Sequence, residues 1–215
     1  MEHPVREIDG VITTLCQGNA DDQKAILDDY FTPDAYFIHP LCRVPSFAGI
    51  YLPFLGRIDS RTFLNFIYQW YRILSPKIEI HVDSKVLDQQ HNLLYLTMRQ
   101  VFTIWAVPFN LWQSHVKLVT VLELEHLLVD EDGRPADHNT VVPPGDKTAR
   151  FRYFIKGQED HYQANEWLKF IAPWGGSLIW VTGQLISTLV CALCVMLFWP
   201  LTFLEPHGLK SKSKF

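Results

Sequence analysis

A run of residues without charge constrains this chain more than any other feature. The residues from Phe170 to Leu204 include no Asp, Glu, Lys or Arg. A helix over the window Ser177 to Trp199 would be about 35 Å long, enough to cross a hydrocarbon core of about 30 Å. Proline and glycine residues flank this window, where they end a helix rather than interrupt it. A buried helix of a soluble protein usually keeps a polar stripe, which this window lacks, so we predict a membrane segment.

The membrane segment sets the domain organisation. We predict a soluble domain over residues 1–170, a membrane segment over 171–204 with its core span at 177–199, and a basic tail over 205–215. The first ten residues carry four charges and no apolar stretch, so they do not form a secretory signal and we expect a cytosolic domain. Lysines lie on both sides of the segment, so a single C-terminal anchor and a re-entrant hairpin both fit. The expected location is the endoplasmic reticulum or a lipid droplet.

Small residues recur within the predicted span. Gly183, Ser187 and Cys191 are spaced by four and share one helix face. Such spacing lets two helices approach closely in lipid, which is compatible with a homodimer. The alternative is that these residues simply face lipid. The expected partners are therefore membrane lipid and, as an option, a second copy of the chain.

Composition excludes some classes of function. The net charge of −4 and the pI of about 6.1 provide no basic surface for nucleic acid, so no nucleic-acid partner is expected. Two of the four cysteines, Cys16 and Cys42, are isolated in the soluble part, and the other two lie in the apolar run. They form neither a disulfide framework nor a metal site.

A charged segment precedes the apolar run. Gln158 to Phe170 contains Glu159, Asp160, His161 and Glu166. We interpret it as the polar face of a helix that joins the soluble domain to the membrane, not as a set of metal ligands. No metal and no cofactor are expected.

The soluble part begins with helices. Pro4 to Gln17 and Asp21 to Tyr30 have apolar residues at helical spacing, and Asn19 is a suitable cap for the second helix. A short strand, AYFIHP, and a loop over residues 41–59 follow. Ser60 is expected to cap a third helix whose aromatic face packs on a sheet. That face comprises Phe63, Phe66, Ile67, Trp70, Tyr71 and Leu74.

Long strands come after the third helix. Ile78 to Leu87 and Leu93 to Trp105 alternate apolar and polar residues around a turn, which predicts a hairpin. Val116 to Val129 predicts a third long strand, and Ala149 to Lys156 a fourth, with a polar loop between them. Helices followed by antiparallel strands favour an α+β fold.

Three segments carry a family resemblance: FIYQWYRILSPKIEIHV, LTMRQVFTIWAVPFNLWQSHVKLVTVLEL and YFIKGQEDHYQANEWLKFIAPWG. With the order of elements they resemble the nuclear transport factor 2-like superfamily, which includes SnoaL-like cyclases and scytalone dehydratase. More narrowly, they resemble a fungal group with a SigF-like version of that fold. The resemblance implies a cone-shaped, strongly curved antiparallel sheet wrapped on N-terminal helices. It also implies a cavity suited to a small ligand, in which related enzymes use His, Asp or Tyr for acid–base chemistry.

Five polar side chains are candidates to face this cavity: His39, Tyr68, Tyr71, Gln100 and Thr120. Each has an ordinary structural alternative. His39 can bond to backbone at a strand end, the tyrosines can be core rings, and the Gln100 amide can make a structural hydrogen bond. Asp34 is interpreted as a turn residue on the face opposite His39, so no acid and base pair is recognisable. The catalytic residues stay unknown.

Large apolar residues in two loops and near the membrane segment are candidates for membrane contact. They are Phe47, Tyr51, Phe54, Phe109, Trp112, Trp167 and Trp174. The alternative for the loop residues is packing over the mouth of the cone. Together these features favour a membrane-anchored, cytosol-facing protein that binds a hydrophobic small molecule or lipid, or that acts as a scaffold. The alternative is a membrane-bound dehydratase, isomerase or cyclase of secondary metabolism.

Overall fold

The computed structural model describes residues 1–53, 56–107, 111–130, 133–135 and 150–198. It begins with two helices, α1 (Pro4–Gln17) and α2 (Ala20–Tyr30). The side chain of Asn19 accepts hydrogen bonds from the amides of residues 21 and 22, and Asp22 returns a bond to the Asn19 amide. This reciprocal cap satisfies amides at the start of α2 that would otherwise lack partners. The bounds of α1 and α2 confirm both predicted helices.

Within the described residues, eight strands follow the first two helices. They are β1 (Phe31–His39), β2 (Cys42–Val44), β3 (Ile50–Leu52), β4 (Gly56–Ile58), β5 (Glu79–Asp88), β6 (Leu93–Thr103), β7 (Gln113–Val129) and β8 (Arg150–Tyr162). Six of them form one sheet in the order β2-β1-β8-β7-β6-β5, and β3 pairs with β4. The β1–β8 pair is parallel and the other pairs are antiparallel. Asp34 lies inside β1 and bonds Lys156, so its interpretation as a turn residue is wrong.

The sheet bends because its ladders shift register at three places. Shifts occur in β1 against β8, in β5 against β6, and in β7 against β8 between Glu123 and Leu124. An extra residue in one strand bends that strand and increases its twist. At one of these places the ring of Tyr36 lies over Gly157, where a Cβ atom would come within 2.1 Å of the ring. The curved sheet encloses a core with α1 and the third helix, as the cone fold requires.

The third helix, α3 (Ser60–Leu74), lies inside the curve of the sheet. Its N-cap is Asp59, whose carboxylate accepts from the Thr62 amide at 2.9 Å, so the prediction of Ser60 as the cap is wrong by one residue. Leu64 and Tyr68 are buried. The predicted aromatic face does not pack as a whole on the sheet, since Phe63, Phe66 and Trp70 are 40 to 56% exposed. The face of α3 that enters the core contains Leu64 and Tyr68, and it is rotated around the helix axis by about one residue from the predicted aromatic face.

Two helices follow β8 in the described part of the chain: α4 (Ala164–Ile171) and α5 (Gly176–Phe198). Gln158 to Tyr162 belongs to β8, so the interpretation of this part of the charged segment as a helix is wrong. These residues pair with β7 as far as Leu118 opposite Tyr162. Backbone pairing along a long neighbouring strand outweighs the local charge pattern. Only the end of the charged segment is helical.

Helix α5 is continuous over residues 176–198, so no hairpin turn falls within that stretch. Gly176 to Leu197 has a mean hydropathy of 2.0, and none of it is buried against the rest of the protein. A helix that is apolar all round and lies outside the core matches a membrane span in length and composition.

Candidate functional site

The cone encloses a cavity of about 40 Å³ between α1, α3 and the inner face of the sheet. Its walls are mostly apolar, with side chains such as Phe37, Ile80 and Met98. Its polar lining comprises His39, Tyr68, Tyr71, Gln100, Gln158, Asp160 and Tyr162. A few polar groups in an apolar cavity are typical of a small-ligand site.

The structure brings four of the five predicted site residues to this cavity. His39, Tyr68, Tyr71 and Gln100 line it. Thr120 lies behind the wall, fully buried, and its hydroxyl donates to a carboxylate oxygen of Asp160 at 2.6 Å. Thr120 can therefore orient a lining residue without touching a ligand.

Asp160 is the acidic group of the site. Its Oδ1 accepts from Thr120 and from the Gln158 amide, the latter at 3.1 Å, while Oδ2 lies 3.3 Å from the same amide nitrogen. Burial raises the pKa of Asp160 to about 6, although the hydrogen bonds from Thr120 and Gln158 act in the opposite direction. A carboxylate with a pKa near neutrality can both accept and return a proton.

Asp160 was not among the predicted site residues. It was assigned to a helix, whereas it lies on β8 directly opposite Thr120. The signal was present in the sequence: Gln158, Asp160 and Tyr162 alternate with Glu159 and His161, which is the period of a strand. Extending the fourth predicted strand by six residues would have placed Asp160 on the inner face.

A chain of hydrogen bonds connects Asp160 to α3. The Tyr68 hydroxyl donates to Gln158 Oε1 at 2.7 Å, and Gln158 Nε2 donates to Asp160. Tyr68 and Gln158 are both buried. Since Gln158 uses its acceptor and its donor in this chain, the orientation of its amide is fixed.

His39 and Tyr71 form the second polar pair of the cavity. The Leu41 amide donates to His39 Nδ1 at 3.2 Å, so this nitrogen carries no proton. Burial lowers the pKa of His39 to about 4, so the ring is neutral and its proton is on Nε2. Nε2 lies 3.0 Å from the Tyr71 hydroxyl and donates to its oxygen. The Tyr71 hydrogen is then free to bond another acceptor.

His39 has both of the positions that the sequence left open: it bonds to backbone at the end of β1 and it lines the cavity. For Gln100 the predicted structural hydrogen bond is absent among the described residues, although the side chain is only 6% exposed. An amide that lines the cavity and makes no bond to the described protein groups is available to a polar ligand or to ordered water.

Aromatic rings pack behind Tyr162, which lines the cavity. Phe170 of α4 packs edge-on against Tyr162 and Phe102, each with ring centroids 5.7 Å apart. Trp112 Nε1 donates to the Phe170 carbonyl at 2.8 Å and holds this end of α4 in place. Glu166, also on α4, accepts from the Lys117 amide at 2.8 Å. These contacts attach α4 to the part of β7 that β8 leaves unpaired.

The predicted membrane contacts differ in exposure. Tyr51 is 81% exposed and Trp174 is 68% exposed. Phe47 packs against Phe63, and Trp112 and Trp167 are half-buried. Two further candidates lie outside the described residues: Phe54 and Phe109.

The charged segment does not assemble a metal site within the described residues. Glu159, Asp160, His161 and Glu166 are separated by the alternation of β8 and by the turn to α4. His161 contacts Glu159 on the outer face at 3.5 Å.

Comparison with solved structures finds similar folds at low sequence identity. A protein from Shewanella putrefaciens described as SnoaL-like is 10% identical with a TM-score of 0.46, covering 80% of this chain and 87% of that one. A Catenulispora acidiphila protein with a ketosteroid isomerase-like fold, in complex with trimethylamine, is 9% identical with a TM-score of 0.44, covering 75% and 88%. AusH from Aspergillus nidulans is 8% identical with a TM-score of 0.42, covering 74% and 82%.

Comparison with curated protein sequences finds no match. The family comparison is specific, because residues 1–134 match the SigF NTF2-like domain. This match covers α1 to the end of β7, which includes most of the cavity wall but not Asp160. The chain therefore belongs to the SigF NTF2-like family.

Proposed function

We propose that the cavity binds a small, mainly apolar molecule with a carbonyl group and that Asp160 exchanges a proton with it. The observation that carries this proposal is the Asp160 carboxylate, desolvated on an apolar wall and held by Thr120 and Gln158. A protein that only binds an apolar ligand gains nothing from a carboxylate on the wall of its cavity, whereas an isomerase, dehydratase or cyclase needs one. The geometry therefore favours the enzymatic alternative over binding alone.

Asp160 and the His39–Tyr71 pair have complementary roles in this reaction. Asp160 accepts a proton from a carbon next to the carbonyl group, the electron pair of that C–H bond forms a C=C bond, and the π pair of the carbonyl group moves to its oxygen. The Tyr71 hydroxyl, whose oxygen accepts from His39, donates to the enolate oxygen that forms. Return of the proton from Asp160 to another carbon, as the C=O bond re-forms, gives isomerisation; its transfer instead to a β-hydroxyl group, which then leaves as water as the C=O bond re-forms and a C=C bond is left next to it, gives dehydration. Neither outcome requires a cofactor.

The size of the cavity restricts the ligand. A volume of 40 Å³ is large enough for about three water molecules, whereas ligand sites usually have about 300–1,000 Å³. A ligand of more than a few atoms therefore requires lining side chains such as Tyr162, and the rings packed behind them, to move. Phe170 is the ring that can move with least disruption, because it lies on the eight-residue helix α4 outside the sheet.

The proposal includes the membrane. The exposed, apolar helix α5 would anchor the protein with its cone domain in the cytosol, at the endoplasmic reticulum or a lipid droplet. Tyr51, Trp112 and Trp174 would then lie near the interface, where aromatic rings are favoured.

Proton exchange tests the enzymatic part directly. The full chain in mild detergent would be incubated with small cyclic ketones in D₂O, and deuterium uptake next to the carbonyl followed by NMR. We expect uptake with the native protein and its loss in Asp160→Asn. Glu159→Gln is the matched control, since it removes a carboxylate from the outer face of the same strand and should leave uptake unchanged. Equal uptake in Asp160→Asn would refute the role of Asp160.

Fractionation tests the anchor. The full chain expressed in cells should stay with membranes or droplets after alkaline carbonate extraction, and residues 171–215 should tether a fluorescent reporter there. Protease protection of the cone domain would contradict its cytosolic orientation. A full chain that remains in the supernatant would contradict the membrane proposal altogether.

A further inference from the structure

An apolar stripe on α3 has no partner among the described residues. The stripe consists of Phe63, Phe66, Trp70 and Ile73, which are 40 to 58% exposed. At about 100° per residue these four positions fall within an arc of about 80° on the helix. Phe63 continues the stripe to Phe47, with ring centroids 5.9 Å apart. Large exposed apolar surfaces of this kind mark contacts with another protein or with lipid.

The segment that carries the stripe is basic although the chain as a whole is acidic. Residues 40–78 contain five basic side chains and one acidic side chain, Asp59, whereas the whole chain has a net charge of −4. Arg61 is paired with Asp28. The other four have no acidic partner in the part of the chain that the structure describes: Arg43, Arg57, Arg72 and Lys77. Positive charge beside an apolar helix face complements an anionic surface that has an apolar interior.

The stripe leads toward the start of α5. At the end of α3 the Leu74 carbonyl accepts from the amide of Trp105, whose side chain is 66% exposed. The neighbouring amide of Ile104 donates to the carbonyl of Trp112 at 3.1 Å, and the Trp112 ring lies 4.9 Å from that of Trp174, two residues before α5. A membrane that contains α5 therefore comes close to the end of α3 where Ile73 lies.

We propose that the α3 stripe lies on the surface of the same membrane that holds α5, and that Arg72 and Lys77 bind anionic phospholipid headgroups there. This inference rests on the proposed insertion of α5. It goes further because it assigns a second contact, its lipid chemistry and the side of the cone that faces the bilayer. A second copy of the chain fits the stripe less well, because a symmetric contact would bring the unpaired basic residues of both copies together.

Footprinting in nanodiscs tests the contact on the full chain. The protein would be inserted into nanodiscs of phosphatidylcholine alone and into nanodiscs that also contain phosphatidylserine, and side-chain oxidation by hydroxyl radicals would be measured by mass spectrometry. We expect oxidation of Trp70 and Phe66 to fall about threefold or more when phosphatidylserine is present. Tyr95, which is 38% exposed on the outer face of β6, should be oxidised equally in both.

Charge variants separate the headgroup contact from apolar burial. Arg72→Glu with Lys77→Glu should abolish the effect of phosphatidylserine on Trp70. Lys24→Glu with Arg150→Glu makes the same change in net charge at exposed sites elsewhere and should retain the effect. Circular dichroism would verify that both variants are folded.

The possible outcomes are distinct. Failure of the chain to co-purify with nanodiscs would refute the anchor as well as this inference. Insertion with Trp70 oxidised equally in both lipids and in detergent would refute only the inference. Protection of Trp70 that depends on protein concentration in detergent would replace the lipid contact with a second copy of the chain.

Discussion

Replacing Asp160 by Asn should stabilise the protein at neutral and alkaline pH. The folded carboxyl has a pKa of about 6, against an ordinary value of 3.8, because burial disfavours its charged form. The folded state therefore binds the proton more tightly than the unfolded state does. Stability from this group is fully present below the unfolded pKa and is lost as pH rises through the folded pKa.

The size of the loss follows from the shift. A difference of about 2 pH units between the folded and unfolded pKa corresponds to about 3 kcal/mol of unfolding free energy above pH 6. Asn cannot ionise and keeps an oxygen that can accept from Thr120. For a chain of this size, about 3 kcal/mol raises the melting temperature by roughly 6–12 °C. We expect this gain in Asp160→Asn at about pH 8 and little or none near pH 4.

Thermal unfolding of the full chain in a mild nonionic detergent, followed by near-ultraviolet circular dichroism, measures the effect. Asp34→Asn is the control of opposite sign. Burial raises the pKa of Asp34, but the hydrogen bond and the charge of Lys156, with contributions from neighbouring hydrogen bonds, together outweigh burial and hold this pKa below its usual range. Its removal should therefore destabilise the protein at about pH 8 and matter less as pH falls through the folded pKa. A melting temperature of Asp160→Asn that is equally lowered at both pH values would refute the desolvation argument.

Three further changes test individual contacts. Gly157→Ala should cost about 3 kcal/mol or more in thermal or denaturant unfolding, because a Cβ would lie 2.1 Å from the Tyr36 ring; an unchanged stability would show that Tyr36 moves freely. Glu166→Ala should cost about 1–3 kcal/mol by leaving the Lys117 amide without its acceptor, and should increase hydrogen exchange in α4 but not in α1. Tyr71→Phe should slow deuterium uptake about 100-fold without changing the melting curve greatly, and unaltered uptake would exclude Tyr71 as the donor.

The elements with a clear period could be predicted from the sequence. Asn19 with Asp22 defines the start of α2, and the alternation around Gln100 places that amide on the inner face of β6. The third helix was predicted correctly, but not its orientation. It has apolar residues on two adjacent faces, and only the packing against β1 decides that Leu64 and Tyr68 enter the core. Helical periodicity alone cannot choose between two apolar faces.

The site itself depends on contacts that are distant in the sequence. Asp160 and Thr120 are 40 residues apart, and Tyr68 is 90 residues from Gln158. A raised pKa of a carboxyl group can be predicted only when the groups around it in space are known. The local sequence around Asp160 is rich in charge and does not reveal its apolar surroundings. The charged residues point outward while Asp160 points inward, because a strand sends successive side chains to opposite faces. The sequence pattern therefore indicated a polar helix where the fold has the acidic wall of a cavity.

The small volume of the cavity and the chemistry of its groups have a common physical cause. Phe170 and Phe102 pack against one another and Phe170 packs on the lining residue Tyr162, and withdrawal of the cavity groups from water raises the pKa of Asp160 and lowers that of His39. Both shifts favour neutral groups, yet they leave Asp160 able to take a proton near neutrality and His39 unable to compete for it. An opening of the cavity that admits water would reduce the pKa shifts of Asp160 and His39. A ligand that enters and displaces this water would restore or increase them. The base is therefore strongest when a bound ligand fills the cavity, which is the state in which a proton acceptor is needed.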